Sequence, residues 1–479
     1  MRSLKRNFGY QMVYRILTVI TPLITSPYLS RVLGVEALGK YSASQAYVNY
    51  FVLFAMLGIE NYGNRSIAKI QENEAKRSTT FWNIYAVQFV ASIISIAVYI
   101  ASIYCFIEPE KKTIYLLQGL WLIDSLLNIN WFFFGCEQFK LTVTRNIIIK
   151  IASVACIILF VKKPSDLWIY IIIMGLSVVL AEGALWIFLP HFIKLEKPQW
   201  NEVKKNIIPV LHLFIPALAL SVFHIMDKSM LNWLSDDVNS GYYYNADKLV
   251  NIPLQLITGM SAVMLPRIAN TIYNEGSNKA KLLLKKSIEL TLFLMCAVSF
   301  GIGAIADEFV PIFFGKGYEP CVILIECFVP VLIVKTLSDF IRTQYLIPSS
   351  NDKLYTIAVI GGAISNLIAN YILIQSFGAI GAVMGTLIAE SVVLIFETIG
   401  VKKELSMRRL IGSHVSYLIF GGIMYVVVYV VSNSNIVSVN GVIKLCIQVG
   451  VGACTYLTLC LLYWTINKKS IFHRYIPAK

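Results

Sequence analysis

The sequence predicts an all-α polytopic membrane protein, threaded through the bilayer by about fourteen helices. Three observations lead there. Of its 479 residues, 57% are hydrophobic and only 14% charged, and the mean hydropathy is +0.68; a soluble domain needs roughly 25% charged residues to clothe its surface. The apolar residues gather into runs of about 20, the length that crosses about 30 Å of hydrocarbon. Lysine and arginine collect in alternate connections between those runs. Helices that satisfy their own backbone groups and turn apolar faces to lipid accommodate all three.

The runs fall at 11–33, 42–62, 80–106, 114–134, 143–161 and 167–189, then at 208–233, 241–265, 288–306, 322–347, 355–377 and 380–400. A last pair covers 410–431 and 442–465. This grouping predicts three divisions: a six-helix bundle over 1–200, a second over 201–405, and two extra helices with a tail over 406–479. The longest connections, near 190–207 and 266–287, have room for about one short amphipathic helix each.

One side of the membrane receives Arg2, Lys5 and Arg6, then Arg65, Lys69, Lys76 and Arg77, then Lys140 and Arg145. The same side continues with Lys194 through Lys205, Arg267 through Lys286, Lys353, Lys402 through Arg409, and the tail of Lys468, Lys469 and Arg474. The other side offers Lys40, Lys111, Lys112, Lys162, Lys163 and Lys316. Positive-inside bias therefore places both termini in the cytoplasm. The net charge of +14 is mostly this topology signal, not a nucleic-acid footprint. The first run lacks a short apolar core with a small-residue cleavage site and reads as a retained helix. Of nine cysteines, Cys105, Cys156, Cys296, Cys446, Cys454 and Cys460 lie inside apolar runs and no C-x-x-C pair occurs, so a metal or disulfide framework is not expected.

The halves echo each other. Gly39 and Gly241 stand 202 positions apart, and the same offset links Tyr41 with Tyr243, Val48 with Val250, Asn49 with Asn251 and Arg65 with Arg267. Leu180-Ala181-Glu182 and Ile388-Ala389-Glu390 add an echo at 208. About six spans per half means parallel repeats, with a substrate site expected between them. The first helix of each half carries two prolines, Pro22 and Pro27, then Pro209 and Pro216.

The run Leu29-Ser30-Arg31-Val32-Leu33-Gly34, followed by Gly39-Lys40-Tyr41, Gly58 and Arg65, resembles the opening of bacterial polysaccharide flippases. Asp227-Lys228, Gly241-Tyr242-Tyr243 and Asp247-Lys248 are similar to the family's matching second-half segment, whereas Lys40 departs from the small or apolar residue common at that turn. The resemblance implies a fold of two six-helix bundles facing a central cavity, shared with MATE-type multidrug exporters, and the extra C-terminal pair favours the polysaccharide branch. It implies a cargo of polyprenyl-pyrophosphate-linked oligosaccharide, association with membrane lipid and with glycan polymerase or assembly proteins, and no cofactor.

Charges inside apolar runs are the candidate site, because an ionisable group in hydrocarbon costs a few kcal/mol or more unless it faces a cavity or a partner. Lys335, Asp339 and Arg342 share one helical face at i, i+4 and i+7, and Asp339 can bridge both cations. Asp124, Asn128 and Trp131 repeat the spacing in the corresponding helix of the first half. Asp227, Lys228, Asp247 and Lys248 lie at mirrored depths of one hairpin, either as a structural lock or as cavity groups. Arg15 and Arg31 stand toward opposite ends of the first helix, either snorkelling or supplying cations at two mouths. His212 and His224 read as core histidines, and Tyr242–Tyr244 as an interfacial belt. The substrate-binding candidates are therefore Arg15, Arg31, Lys228, Lys248, Lys335 and Arg342. Asp124, Asn128, Glu182, Asp227, Asp247, Asp339 and Glu390 are the polar or ion-coupling candidates, for H+ or Na+.

A water-filled path lined by arginine and lysine suits a pyrophosphate, whose oxygens guanidinium grips bidentately. No G-x-x-x-x-G-K-[ST] loop is present for nucleotide coupling. A multidrug exporter of the same fold would need an acidic path for cationic cargo. A glycan polymerase or glycosyltransferase would need a large outer loop with catalytic carboxylates, where this chain has short turns such as Asp236-Asp237.

Overall fold

The computed structural model describes the backbone at 2–349, 351–412, 414–434 and 441–466, and side chains from residue 17 onward with short stretches excepted. The described chain is helical, with no strand among the described residues. It divides into two compact units, Met1–Tyr244 and Asn245–Lys479. The first holds α1 (Arg2–Met56), α2 (Ile59–Ala68), α3 (Glu74–Phe106), α4 (Lys112–Gln118), α5 (Leu120–Leu127), α6 (Asn130–Gly135), α7 (Phe139–Phe160), α8 (Leu167–Phe188), α9 (Trp200–Leu234) and the start of α10 (Asp237–Glu275). The second holds the rest of α10, α11 (Ser277–Phe313), α12 (Pro320–Ile341), α13 (Asp352–Val401), α14 (Met407–Gly412), α15 (Ser416–Asn433) and α16 (Val442–Ile466).

Among the described residues, nine helices are long and apolar enough to cross a membrane. One of them, Leu17–Ala68, has 52 residues and another, Lys353–Val401, has 49. At 1.5 Å per residue each would measure over about 70 Å, more than twice the hydrocarbon thickness. Glycines in left-handed backbone break both, Gly34 at φ 78° and Gly378 at φ 54°, so each supplies two crossings. The chain is thus a multi-pass membrane protein, and its lipid-facing side chains, such as Ile94, Phe106, Ile187 and Ile399, are the exposed hydrophobics the composition requires.

Local sequence sets several boundaries. Asn73 caps α3 by accepting from the Lys76 amide at 3.0 Å. Asp166 accepts from the amides of Lys162 and Lys163 at 2.9 and 3.1 Å, turning the chain into α8. The stretch 192–199 is an extended strap held on α3: Arg77 donates to the Phe192 carbonyl, Trp82 to that of Lys194, and the Gln199 amide to Asn83. The connection near 266–287 is shorter than the sequence suggests, since α10 and α11 run through it and only Gly276, at φ 86°, separates them.

Within the first unit the two repeat-equivalent glycines meet. A Cβ on Gly39 would strike the carbonyl oxygen of Asp237, and one on Gly241 would strike the carbonyl oxygen of Val35. Beside this contact, Tyr41 packs on Tyr170 and Tyr244 at centroid distances of 4.8 and 5.9 Å, and Lys111 reaches Asp237 at 3.8 Å. In the second unit, α15 and α16 pack on α11 through a buried apolar cluster that includes Leu292, Cys296, Tyr417, Met424, Val428, Tyr456 and Trp464. Polar pins fix them: Tyr456 donates to the Phe293 carbonyl at 2.8 Å, Tyr417 to Glu289 at 3.2 Å, and Lys444 pairs with Glu308 at 2.5 Å.

Candidate functional site

The run expected as one helix over 114–134 is three short helices, α4 to α6, and the break that matters follows Leu127. Asn128 and Ile129 leave the helix at ψ 106° and φ −119°. A break inside the membrane frees carbonyls that lipid cannot satisfy. Here the carbonyls of residues 125 to 128 all find donors. Gln88, fully buried on α3, donates one amide N–H to Ser125 and the other to Asn128, both at 2.8 Å. Trp186 donates to Leu127 at 2.8 Å and Tyr85 to Leu126 at 3.3 Å. Trp131 donates to the Gln88 oxygen at 3.0 Å, and the Asn128 side chain takes the Asn130 amide at 3.1 Å, starting α6. Asp124, Asn128 and Trp131 therefore do not form the continuous helical stripe their spacing suggests. The break is built by an aromatic wall of Phe81, Trp82, Tyr85, Trp131 and Trp186 around one buried glutamine.

Beside the break sits a charged cluster. Arg145 of α7 is buried, donating to Glu182 of α8 at 3.2 Å, to Asn130 at 3.2 Å, to Asn146 at 2.9 Å and to the Ala181 carbonyl. Asn130 also donates to Glu182 at 2.6 Å. The second oxygen of Glu182 has no hydrogen-bond partner among the described residues. Asp124, Glu182 and Glu60 lie within electrostatic reach of one another and of Arg145. Counting Arg145 with the basic connection was a misplacement: it lies inside the unit, where Glu182 compensates its charge. Lys150 is half-buried at the middle of α7. Its position inside an apolar run is a signal for embedded charge that the sequence reading passed over.

Elsewhere in the first unit, Asp227 is buried and accepts from Tyr243 at 2.9 Å, and Lys228 lies 5.9 Å from the Tyr244 ring centre. Tyr243 is buried too, whereas Tyr242 and Tyr244 are partly exposed. Arg31 is exposed and donates to the Pro27 carbonyl at 2.9 Å. His212 is exposed, not core. The side chains of Arg15 and His224 lie outside the described residues, as do Arg408, Arg409 and the basic tail.

In the second unit, α12 passes into a π-helical turn at Arg342–Leu346. Asn128 and Trp131 correspond, in the spacing of the two stripes, to Asp339 and Arg342, so the two distortions lie about one turn apart in equivalent positions: the first half breaks at Asn128, and the second enters its π turn at the equivalent of Trp131. Arg342 donates to Asp339 at 2.5 Å, and its guanidinium lies 5.9 Å from the Tyr355 ring centre. Thr343 adds a bond to the same Asp339 oxygen at 3.1 Å. Asp339 does not bridge to Lys335: among the described residues Lys335 makes no ion pair or hydrogen bond, although it is half-buried in the middle of its span. Glu397 of α13, which the sequence reading missed, is fully buried and accepts from Ser338 at 3.0 Å. Asp247 takes Asn251 at 2.6 Å, Lys248 is partly buried, and Glu390 is buried with polar company.

Each unit thus holds embedded cations and carboxylates around a distorted helix. Comparison with known proteins places the chain in a family. Residues 4–272 match the family model described as polysaccharide biosynthesis protein. The chain is 25% identical over 403 residues to a putative O-antigen transporter of Escherichia coli (strain K12), covering 82% of this chain and 95% of that one. Its fold is similar to the lipid II flippase MurJ in an inward closed conformation, with a TM-score of 0.69, 17% identity, and coverage of 96% and 98%. An inward-facing multidrug MATE transporter of the MOP superfamily follows at a TM-score of 0.60, 11% identity, and coverage of 82% and 99%.

Proposed function

The chain belongs to the polysaccharide biosynthesis protein family, and from that premise we propose that it flips a polyprenyl-pyrophosphate-linked oligosaccharide from the inner to the outer leaflet of a bacterial plasma membrane. The isoprenoid tail stays in lipid throughout. The head is the obstacle, because an unpaired anion in hydrocarbon costs tens of kcal/mol by ideal Born estimates. Embedded cations that alternate between the two faces of the membrane remove most of that cost, and hydrogen-bonding walls serve the sugars.

Lys335 carries the reading. Lys335 lies near the middle of the Pro320–Leu346 span, about 22 Å along the helix from one end and about 16 Å from the other, where a primary ammonium is costly. Having no ion pair or hydrogen bond among the described residues, it needs water or an anionic ligand beside it. A phosphate oxygen is that ligand in this proposal, and Arg342, about two turns further on, is the second grip. Lys228, Lys248, Arg31 and Arg15 are assigned to successive stations of the head. The functional repeats are residues 1–200 and 201–405, with 406–479 as an added pair, and both termini face the cytoplasm. H+ or Na+ supplies the driving force through acids among Asp124, Glu182, Asp227 and Glu390, and glycan polymerase or assembly proteins receive the product.

In cells, Lys335→Ala should abolish surface glycan while the protein still inserts at normal levels. Lys335→Arg should restore display, because it returns a cation at the same depth. Normal display in Lys335→Ala removes this residue from the mechanism.

A further inference from the structure

The carboxylates around Arg342 outnumber the cation that serves them. Asp339 and Glu397 are 7% and 0% exposed. One oxygen of Asp339 holds Arg342 at 2.5 Å and Thr343 at 3.1 Å, and its other oxygen has no partner among the described residues. One oxygen of Glu397 holds Ser338 at 3.0 Å, and its other oxygen is likewise bare. With both acids ionised, the trio would bury a net negative charge and two unsatisfied anionic oxygens, a cost of several kcal/mol per uncompensated ion. One proton makes it neutral. A proton is the ligand that this charge count and the two bare carboxylate oxygens call for.

We propose that Asp339, Arg342 and Glu397 form a proton-binding site that holds one proton, carried by Glu397 while Arg342 pairs with Asp339. Neutral Glu397 donates its O–H to the Ser338 hydroxyl, which serves as acceptor as readily as donor. Its other oxygen is then an uncharged carbonyl, far cheaper to leave bare than a carboxylate oxygen. The charged groups about Glu397 are Asp339 and Arg342 from α12 and its π turn, and Glu390 on its own helix. Tyr345 of the π turn is engaged by Glu404 at 2.5 Å, and the Tyr355 ring lies under the guanidinium. Arg342 opens the π turn, whose extra residue per turn lets the backbone shift register. A shift that carries the guanidinium from Asp339 to Glu397 breaks the Glu397 O–H bond and releases that proton to water. Asp339, stripped of its cation, forms a new O–H bond with a proton from water, so the charge of the trio is unchanged.

Infrared spectroscopy of the purified full-length protein in a lipid bilayer at neutral pH tests this without any substrate, and so independently of the transport reading. Wild-type protein made with carboxyl-13C glutamate should show a protonated-acid C=O band shifted by the label, and Glu397→Gln should lose one such carbonyl per molecule. Asp339→Asn should lose the same component, because Arg342 then pairs with Glu397 and ionises it. Arg342→Gln should gain one component shifted by carboxyl-13C aspartate, both acids now being neutral. The proposal is overturned if wild-type protein has no glutamate-labelled acid band, if Glu397→Gln leaves that band intact, or if Arg342→Gln leaves the aspartate-labelled spectrum unchanged.

Discussion

Gly39 and Gly241, equivalent positions of the internal repeat, press against each other's helices in a reciprocal contact. Gly39 abuts the carbonyl of Asp237 and Gly241 abuts that of Val35, and Val35 and Asp237 are themselves 202 residues apart. This is the self-complementary pattern of a two-fold interface, in which residue i meets j and j meets i. A local pseudo-two-fold axis therefore passes between the two segments, where backbone approaches backbone too closely for a Cβ at either glycine.

Because backbone lies where a Cβ would go, Gly39→Val or Gly241→Val should each lower thermal stability by about 1–3 kcal/mol through overpacking. Alanine at Gly183 or Gly422, where no neighbour comes within 4 Å, should leave the melting temperature within a degree or so of wild type or raise it slightly. Thermal unfolding of the purified variants in one detergent measures both. Equal tolerance at all four positions would show that the close approach is not maintained in the membrane.

Gln88 is the hinge of the satisfied helix break, since one amide closes two freed carbonyls. Gln88→Leu keeps the volume and removes both donors. Each bare buried carbonyl costs about 1–3 kcal/mol, so the variant should be among the least stable single substitutions in the first unit. Hydrogen exchange should rise locally over residues 120–135 before any global unfolding. A melting curve and exchange pattern like wild type would mean that the break is satisfied by other groups.

Arg145 and Glu182 should show strong coupling. Arg145→Ala leaves a buried carboxylate without its cation and should cost about 3–5 kcal/mol. Glu182→Gln in the same chain should recover most of that loss, because the uncompensated charge is gone while the bond from Asn130 survives. A double-mutant cycle on unfolding midpoints reads the coupling, and additive effects would mean that the two groups do not depend on each other.

Much of the fold is legible in the order of residues because its determinants are local: apolar run length, left-handed glycines such as Gly34, and caps such as Asn73. The Gly39–Gly241 equivalence is legible for the same reason, as a repeated short motif, although both glycines lie within helices. The helix break at Asn128 is not, because its donors, Gln88, Tyr85 and Trp186, come from helices about 40 to 60 residues away and nothing in 114–134 itself announces it. Arg145 was masked by its neighbour Lys140 at the basic end of the span and reads as a boundary residue although packing buries it, and Glu397, near Lys402 and Lys403 at a span end, gives no sign in sequence of its full burial. The stripe of Lys335, Asp339 and Arg342 was visible from spacing alone, but which cation Asp339 takes depends on the π turn, which spacing does not encode.

Transport as proposed requires Lys335 to meet the anionic head of the cargo inside the membrane. Purified protein in proteoliposomes, loaded with a polyprenyl-pyrophosphate oligosaccharide on one leaflet and read by its appearance on the other, tests that contact directly. Wild type and Lys335→Arg should translocate it, and Lys335→Ala should be slower by about tenfold or more, the loss expected for a phosphate contact of at least about 1.4 kcal/mol. Equal rates for Lys335→Ala and wild type would contradict the central claim.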